Sequence, residues 1–259
     1  MNLPPWALTL LVISALAPLE YFFPRVTGRP SIKGRLVAVL AISAASVVTL
    51  SLLNGELQQL LVPVFLQIKL FSLSKLEMPS LLLFVVGFLL IDLIQYTMHL
   101  VSHKVTLLWR MHAIHHADEH VTAASSLLHH PLEIMVAYGI ILCLYVILGI
   151  PILIIAIYGL VNAVHSVFCH ANIALPTKLD TALRFLIVTP DMHRTHHSIR
   201  MDEGNSNFGQ IFTIWDRMFG TYIAHPTTGE AALVMGLPEG EKPRSFTFAR
   251  LLLLPFARR

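Results

Sequence analysis

The stretch PSLLLFVVGFLLIDLIQYTMHLVSH, residues 79–103, joins an apolar run to a pair of histidines. Residues 79–99 come to about the 20 positions that an α-helix needs to cross about 30 Å of hydrocarbon. His99 and His103 are four residues apart and therefore share one face of that helix. The stretch predicts a membrane helix that ends in two candidate metal ligands.

The composition of the 259-residue chain is typical of a membrane protein. Hydrophobic residues make up 55% of it and charged residues 13%, against about 25% charged residues in soluble domains. Further spans are predicted at residues 4–23 and 35–53. A fourth apolar run, residues 132–168, is too long for one crossing and is interrupted at Gly149 and Pro151, which predicts a hairpin of two short spans. We therefore expect an all-α, multi-pass membrane helical bundle.

Three regions are predicted along the chain. Residues 1–78 form a membrane anchor, in which residues 56–71 mix glutamines with leucines and predict an interfacial or re-entrant segment. Residues 79–225 form the catalytic region. Residues 226–259 form a tail, whose part from residue 244 to 259 predicts an amphipathic surface helix. Because no Lys or Arg precedes the first apolar run, we expect that span to be kept as an anchor rather than cleaved as a signal peptide.

The basic residues predict the orientation of the chain. Arg25, Arg29, Lys33 and Arg35 crowd the loop after the first span, which the positive-inside rule assigns to the cytoplasm. Two more spans bring the chain back to that side at His99, and the hairpin starts and ends there. All 14 histidines are therefore predicted in a helical cap on the cytoplasmic face.

Eight of the histidines form three clusters of helical spacing. They are His99/His103, His112/His115/His116 and His193/His196/His197. The second and third clusters share the pattern H-x-x-H-H. A single metal needs three or four such ligands, so these clusters predict two metals held close together. Neither triplet contains the H-E-x-x-H glutamate of zinc proteases, which disfavours hydrolysis.

Asp92 lies within the apolar span, on the face that also carries Tyr96. A carboxylate is costly there unless it has a partner. A hydrogen bond to a ligand histidine would satisfy Asp92 and select the imidazole tautomer. The alternative is a capping or helix-packing role.

These residues resemble the fatty acid hydroxylase and sterol desaturase superfamily of membrane di-iron enzymes. The H-x3-H box and the two H-x2-H-H boxes match, as do residues 108–112 (LWRMH), 130–133 (HPLE), 170–172 (HAN), 189–193 (TPDMH) and 215–222 (WDRMFGTY). The resemblance covers about half of the chain. Leu100 stands where many relatives have arginine, and His129 stands at a position that is often basic in them.

The resemblance implies two iron ions that use dioxygen to oxidise a C–H bond of a lipid. The implied metal ligands are His99, His103, His112, His115, His116, His165, His170, His193, His196 and His197. His165 and His170 enter as extra ligands near the second hairpin helix, at H-x4-H spacing where some relatives have H-x3-H. Asp92, Asp191 and His130 are expected beside the ligands as their hydrogen-bond partners, with a ligand role for His130 left open. His120, His129 and His225 are expected on the surface.

Hydroxylation is the favoured reaction, with desaturation left open because the outcome depends on substrate placement. The lipid is expected between the third span and the hairpin. The chain shows no G-x-G-x-x-G motif, iron–sulfur cysteine set or haem domain, so a separate cytoplasmic electron donor of the ferredoxin or cytochrome/reductase type is expected. The alternatives are a histidine-rich metal transporter, a bis-histidine haem carrier and a di-zinc membrane hydrolase. Nucleic acid is not an expected partner, because the basic residues are dispersed.

Overall fold

The structure is a computed structural model that describes residues 5–27, 32–67 and 72–257. Within these ranges, regular structure is helical, and β-pairing is limited to three isolated bridges. The α-helices are α1 (Pro5–Phe22), α2 (Ile32–Gln67), α3 (Ser80–Lys104), α4 (Thr106–His116), α5 (Pro131–Leu148), α6 (Ile152–His170), α7 (Thr177–Leu183), α8 (Pro190–His196), α9 (Met201–Gly204), α10 (Ile214–Phe219) and α11 (Phe248–Leu253).

Four helices are long and apolar enough to cross a membrane: α2, α3, α5 and α6. Helix α1 contributes a shorter apolar segment, Ala7–Phe22. The remaining helices are short and surround one end of the bundle. The predicted all-α, multi-pass membrane bundle is thereby confirmed, and the chain is an integral membrane protein.

Helix α2 is longer than the sequence predicts. It runs unbroken for 36 residues, about 54 Å, and takes in residues 56–67 of the predicted interfacial segment; residues 68–71 lie outside the described ranges. Gln58 shows how the polar side chains are accommodated, because its amide donates to the Tyr138 hydroxyl of α5 at 3.0 Å. Residues 56–67 therefore continue α2 without a break.

The predicted hairpin turns between α5 and α6. Gly149 ends α5 with a φ of 57°, in the left-handed region that glycine adopts without strain. The amides of Gly149 and Ile150 bond back to carbonyls in the last turn of α5, which is a Schellman ending. Pro151 precedes the first turn of α6. The hairpin returns the end of α6 to the side from which α5 started.

Packing between α3 and α6 determines where His99 and His103 lie along the axis of the bundle. Ile91 of α3 is 0% exposed and Ile154 of α6 is 4% exposed. The Tyr158 hydroxyl of α6 donates to Asp92 of α3 at 2.7 Å. Between membrane helices such packing and interhelical hydrogen bonds, rather than escape from water, supply the stabilisation. These contacts hold the end of α3 next to the end of α6.

The C-terminal region differs from its prediction. Leu251 of α11 is 0% exposed and the following Leu254 is 5% exposed. Both belong to a core cluster with Val39 and Ile42 of α2 and Ile114 of α4. Part of the apolar face is therefore buried between α2 and α4, whereas Phe248 and Leu253 remain exposed.

Two ion pairs bring the basic loop to the histidine side of the bundle. The Arg25 guanidinium donates to Asp191 of α8 at 2.8 Å. Arg35 pairs with Asp118, two residues after α4. Arg25 and Arg35 thus lie at the same end of the bundle as the histidine helices, as that orientation requires.

Candidate metal centre

Nine histidines converge in two sets at this end of the bundle. In each set, one ring nitrogen per residue lies within 4.8 Å of those of the other members. The first set is His99, His103, His112, His116 and His196, and the second set is His115, His170, His193 and His197. The sets adjoin, since the ring centroids of His116 and His197 are 4.5 Å apart. The structure therefore brings together nine of the ten ligands predicted from the sequence.

The two H-x-x-H-H triplets each serve both sets. A helix turns about 100° per residue, so positions i and i+4 diverge by about 40° and position i+3 points about 60° to the other side. His112 and His116 accordingly join the first set while His115 joins the second. The later triplet is reversed, because His196 alone joins the first set. One pattern used twice in opposite senses places the two sets side by side.

The first set has the orphaned nitrogens that a metal would satisfy. The Nε2 atoms of all five of its members are buried and have no hydrogen-bond partner among the described residues. Three of the rings use Nδ1 instead: His99 donates to the Phe208 carbonyl at 3.0 Å, and His196 to the Ser206 carbonyl at 2.7 Å, while His112 contacts Glu133 at 2.7 Å. A carbonyl only accepts, so Nδ1 carries the hydrogen and Nε2 presents a lone pair.

Close contacts between ring nitrogens of the second set also indicate a metal site. His115 Nδ1 donates to the Leu128 carbonyl at 3.3 Å and His170 Nδ1 to the Ser166 carbonyl at 2.7 Å. The Nε2 atoms of these two neutral rings therefore both lack a hydrogen, yet they lie 3.1 Å apart. Two lone pairs at this distance repel unless a cation lies between them. Nitrogens about 2.1 Å from one metal would be about 3.0 Å apart in an octahedral arrangement, so the residues fit a bound metal.

Burial favours the neutral form of imidazoles in both sets. It lowers the pKa of His196 to about 3. It also lowers the pKa values of His115, His116, His193 and His197 well below the usual histidine value, and repulsion among the rings adds to the effect. Neutral imidazole is the form that binds transition metals. These five rings are therefore in the protonation state that metal binding requires.

Glu133 and His129 form an additional pair beside the two sets. Glu133, in the first turn of α5, accepts from His112 at 2.7 Å and lies 3.4 Å from Nδ1 of His129. His129 stacks on His115, with ring centroids 4.7 Å apart and planes at 9°. Burial opposes the charged form of His129, but the Glu133 carboxylate raises its pKa overall. His129 is thus not the surface residue that the sequence predicts.

His165 is the predicted ligand that belongs to neither set. It lies buried on α6, five residues before His170. Five residues correspond to about 500°, so the two side chains leave the helix about 140° apart and cannot meet at one metal. Of the other histidines predicted on the surface, His225 has a 65% exposed side chain and His120 is half-buried.

Asp92 differs from its prediction as a partner of a ligand. It is 0% exposed, and no histidine is among its hydrogen-bond partners in the described residues. It accepts four hydrogen bonds, from the Tyr158 hydroxyl, the Trp215 indole and the amides of Ile211 and Phe212. The carboxylate therefore anchors the loop before α10 to the span α3, which is the helix-packing role.

His130 and Asp191 also have partners other than the ligands. His130 caps α5, because its Nδ1 accepts from the Leu132 amide and its Nε2 donates to the Leu252 carbonyl, both at 3.0 Å. Its two nitrogens are therefore already occupied. Asp191 pairs with Arg25. The hydrogen-bond partners of the candidate ligands are Glu133 and backbone carbonyls. Glu133 could have been predicted, because it is an acidic residue in a first helical turn beside histidines. Backbone carbonyls could not, because they have no signature in the sequence.

A cavity of about 150 Å³ opens beside both sets, between α3, α5 and α6. His99 and His112 line it from the first set, and His115, His170 and His193 from the second. Its apolar wall consists of Met98, Ile134, Ala137 and Ile141. A larger cavity, about 550 Å³, lies between α1 and α2 and is lined by none of the described histidines. The cavity beside the histidines is therefore the smaller of the two, and cavity volume alone would not identify it.

Comparison with known proteins finds a hydroxylase and a monooxygenase that are similar to part of this chain. The chain is 29% identical over 142 residues to the ornithine lipid hydroxylase OlsE of Rhizobium tropici, an alignment that covers 55% of this chain and 42% of that protein. It is 28% identical over 138 residues to the alkylglycerol monooxygenase of Homo sapiens, covering 53% of this chain and 30% of that protein. The chain thus covers less than half the length of these relatives. No solved structure matches it.

The family is established by a match to a sequence model of the whole family. The sequence model described as fatty acid hydroxylase matches residues 84–221. This range includes all nine histidines of the two sets, as well as Glu133 and the loop that Asp92 anchors. The match covers more than half of the chain, and the chain belongs to the fatty acid hydroxylase family.

Proposed function

We propose that this protein is a membrane-bound, non-haem di-iron enzyme that uses dioxygen to hydroxylate a lipid. One observation carries the proposal: two adjoining all-histidine sets whose buried, neutral nitrogens converge on two points. Imidazole suits iron, copper and zinc, and family membership favours iron. When bound, two irons would supply the redox chemistry that activates dioxygen and breaks an unactivated C–H bond, which side chains cannot do.

The chain's own residues orient the ligands and exclude water. Backbone carbonyls and Glu133 select the tautomer of five of the nine rings, which orients them before any metal arrives. Phe208 is 0% exposed, and its ring centroid lies 5.1 Å from that of His103. Trp109 also packs against His103, with ring centroids 4.9 Å apart. These aromatic rings close the first set off from water.

The cavity supports a lipid chain as the substrate. It lies between membrane helices, and Met98, Ile134 and Ile141 form an apolar wall opposite the histidines. A cavity of about 150 Å³ accommodates a molecule the size of benzene, so it would hold a few carbons of a substrate. The rest of the lipid would remain in the bilayer along α3 and α5. Substrate specificity would thus be decided by which carbon reaches the histidines.

Hydroxylation is favoured over desaturation by the relatives. One is named for hydroxylation of ornithine lipids and the other for monooxygenation of alkylglycerols. A monooxygenase puts one oxygen atom into the C–H bond and releases the other as water, so electrons and protons must be supplied. We propose a separate electron donor on the cytoplasmic side. The shared location of Arg25, Arg35 and the histidine helices supports that orientation.

The proposal is tested with full-length protein purified from iron-replete cells and reconstituted in lipid nanodiscs. Elemental analysis and Mössbauer spectroscopy should find two coupled irons per chain. With dioxygen, a chemical reductant and membrane lipids, mass spectrometry should detect a product one oxygen atom heavier than its substrate. His115→Ala should lose the second-set iron and the product.

The exposed His225 provides the matched histidine control. His225→Ala should keep both irons and full turnover. Zinc alone after iron-replete anaerobic purification would contradict the proposal, as would full turnover by His115→Ala.

A further inference from the structure

Helix α7, the turn that follows it and helix α10 expose a group of large hydrophobic side chains, which we call the α7–α10 surface. Its members are Leu179, Phe185, Leu186, Ile214, Met218 and Phe219. Phe185 is 78% exposed and Met218 is 64% exposed. None of the six belongs to a candidate membrane span of the described chain. Single exposed hydrophobic residues are ordinary, but a contiguous group marks an interaction site.

Hydrogen bonds show that the two segments form one surface. The Thr213 amide, just before α10, donates to the Leu186 carbonyl at 3.1 Å. The Arg217 guanidinium donates to the Arg184 carbonyl at 3.1 Å, and it also lies over the Phe185 ring, 5.8 Å from the centroid. The exposed side chains of both segments are therefore neighbours.

The height of this surface along α3 indicates what it faces. The Trp215 indole of α10 donates to Asp92 at 2.8 Å, and the Phe219 ring stacks on Tyr96 at 5.5 Å. Asp92 and Tyr96 lie twelve and eight residues before the end of α3 at Lys104, which is about 18 and 12 Å along the helix axis. Helix α10 therefore lies beside the apolar part of a candidate span and not beyond its end.

The charges around the surface suit lipid headgroups. Lys178 of α7 and Arg217 of α10 are exposed next to the hydrophobic side chains. Long basic side chains can lie along an apolar surface while their charged ends reach phosphate groups. An apolar patch edged by such residues is typical of helices that lie in a membrane interface.

We infer that the α7–α10 surface is immersed in the bilayer. Its six hydrophobic side chains contact acyl chains, and Lys178 reaches lipid phosphates. The metal-binding cap is thus partly embedded instead of standing clear in water. Because the surface is formed by the loop and helix that Asp92 holds against α3, this immersion is built into the packing of the centre itself.

Spin labels in nanodiscs test the inference without using activity, so its outcome is independent of the proposed reaction. Phe185→Cys and Met218→Cys are made in a Cys143→Ala background, since the other cysteine, Cys169, is 4% exposed. Asp202→Cys on α9 is the control, because that side chain is 64% exposed and polar. The discs contain phosphatidylcholine and phosphatidylglycerol. Collision rates with oxygen, which concentrates in acyl chains, are compared with those of a water-soluble nickel chelate.

The expected ratio of oxygen to nickel collisions at positions 185 and 218 is several-fold higher than at position 202. Nickel accessibility equal to that at position 202 would overturn the inference. Protection from both reagents would also overturn it, since a protein partner or a second copy would then cover the surface. Leu186→Cys gives a further site if one variant fails to fold, and retained metal content identifies the folded variants.

Discussion

Replacing Glu133 with alanine should weaken metal binding at the first set alone. The Glu133 side chain is 13% exposed and accepts from His112 Nδ1 at 2.7 Å. A hydrogen bond to a charged group contributes about 1.5–3 kcal/mol, which corresponds to about 10-fold to 150-fold in affinity. Loss of an orienting partner of a metal ligand typically costs about 10–100-fold. We therefore expect a decrease of about 10–100-fold at the first set.

The second set should keep its affinity in Glu133→Ala. His115 and His170 are oriented by backbone carbonyls, which the substitution leaves in place. Metal-free protein in detergent is titrated with Co²⁺ against a competing chelator, and binding is followed by visible absorption. The wild type should bind two equivalents tightly, whereas the variant should bind one tightly and one weakly. Equal weakening at both sets, or none at either, would refute the reasoning.

Two companion variants separate orientation of His112 from stability of α5. His130→Ala removes the neighbouring cap of α5 without contacting His112, at a cost of about 0.5–2 kcal/mol; it should lower the thermal unfolding midpoint and retain both metals. Glu133→Gln keeps an acceptor oxygen without the charge, so its affinity should fall less than that of Glu133→Ala. If His130→Ala also lost the metal of the first set, the loss in Glu133→Ala would be explained by destabilisation of α5 and not by the orientation of His112.

Three further outcomes follow from the geometry. Asp92→Asn replaces an acceptor of four hydrogen bonds with a group that has one acceptor oxygen, so it should lower the thermal midpoint and weaken turnover without abolishing it. Ala137→Phe should fill the cavity beside the histidines and lower the rate of lipid oxidation by about tenfold or more, with both irons retained. The control is Ile140→Phe, at a 38% exposed position of the same helix, which should oxidise lipid at the normal rate. His165→Ala should retain two irons by elemental analysis, whereas His115→Ala retains one, and an iron count of one in His165→Ala would contradict the ligand assignment.

The membrane helices could be predicted from the sequence because their cause is local. A backbone in hydrocarbon must satisfy its own polar groups, so an apolar run of sufficient length becomes a helix. The hairpin turn was equally accessible, since Gly149 adopts the left-handed conformation that ends α5. The length of α2 could not be predicted, because the polar Gln58 by itself indicates an interfacial segment. Its hydrogen-bond partner Tyr138 lies eighty positions away along the chain.

The C-terminal helix shows the limit of amphipathic patterns. Its apolar face predicts burial but not what buries it. Leu251 and Leu254 meet α2 and α4, whereas the sequence pattern is equally consistent with a lipid surface. Asp92 has the same ambiguity, because the cost of an unpaired carboxylate predicts that it has partners without naming them. Those partners lie 66 to 123 positions away along the chain.

The sequence by itself predicted that the members of each histidine cluster lie close together, because helical spacing fixes how neighbouring side chains diverge. Only the tertiary structure decided how they divide between two sets, with His196 crossing to the first and His115 to the second. It also decided which nitrogens are free, since the carbonyls of Phe208 and Leu128 that hold Nδ1 belong to backbone with no side-chain signature. The physical reason is that a ligand's direction is a property of its own helix, whereas its partners depend on how distant segments pack against it.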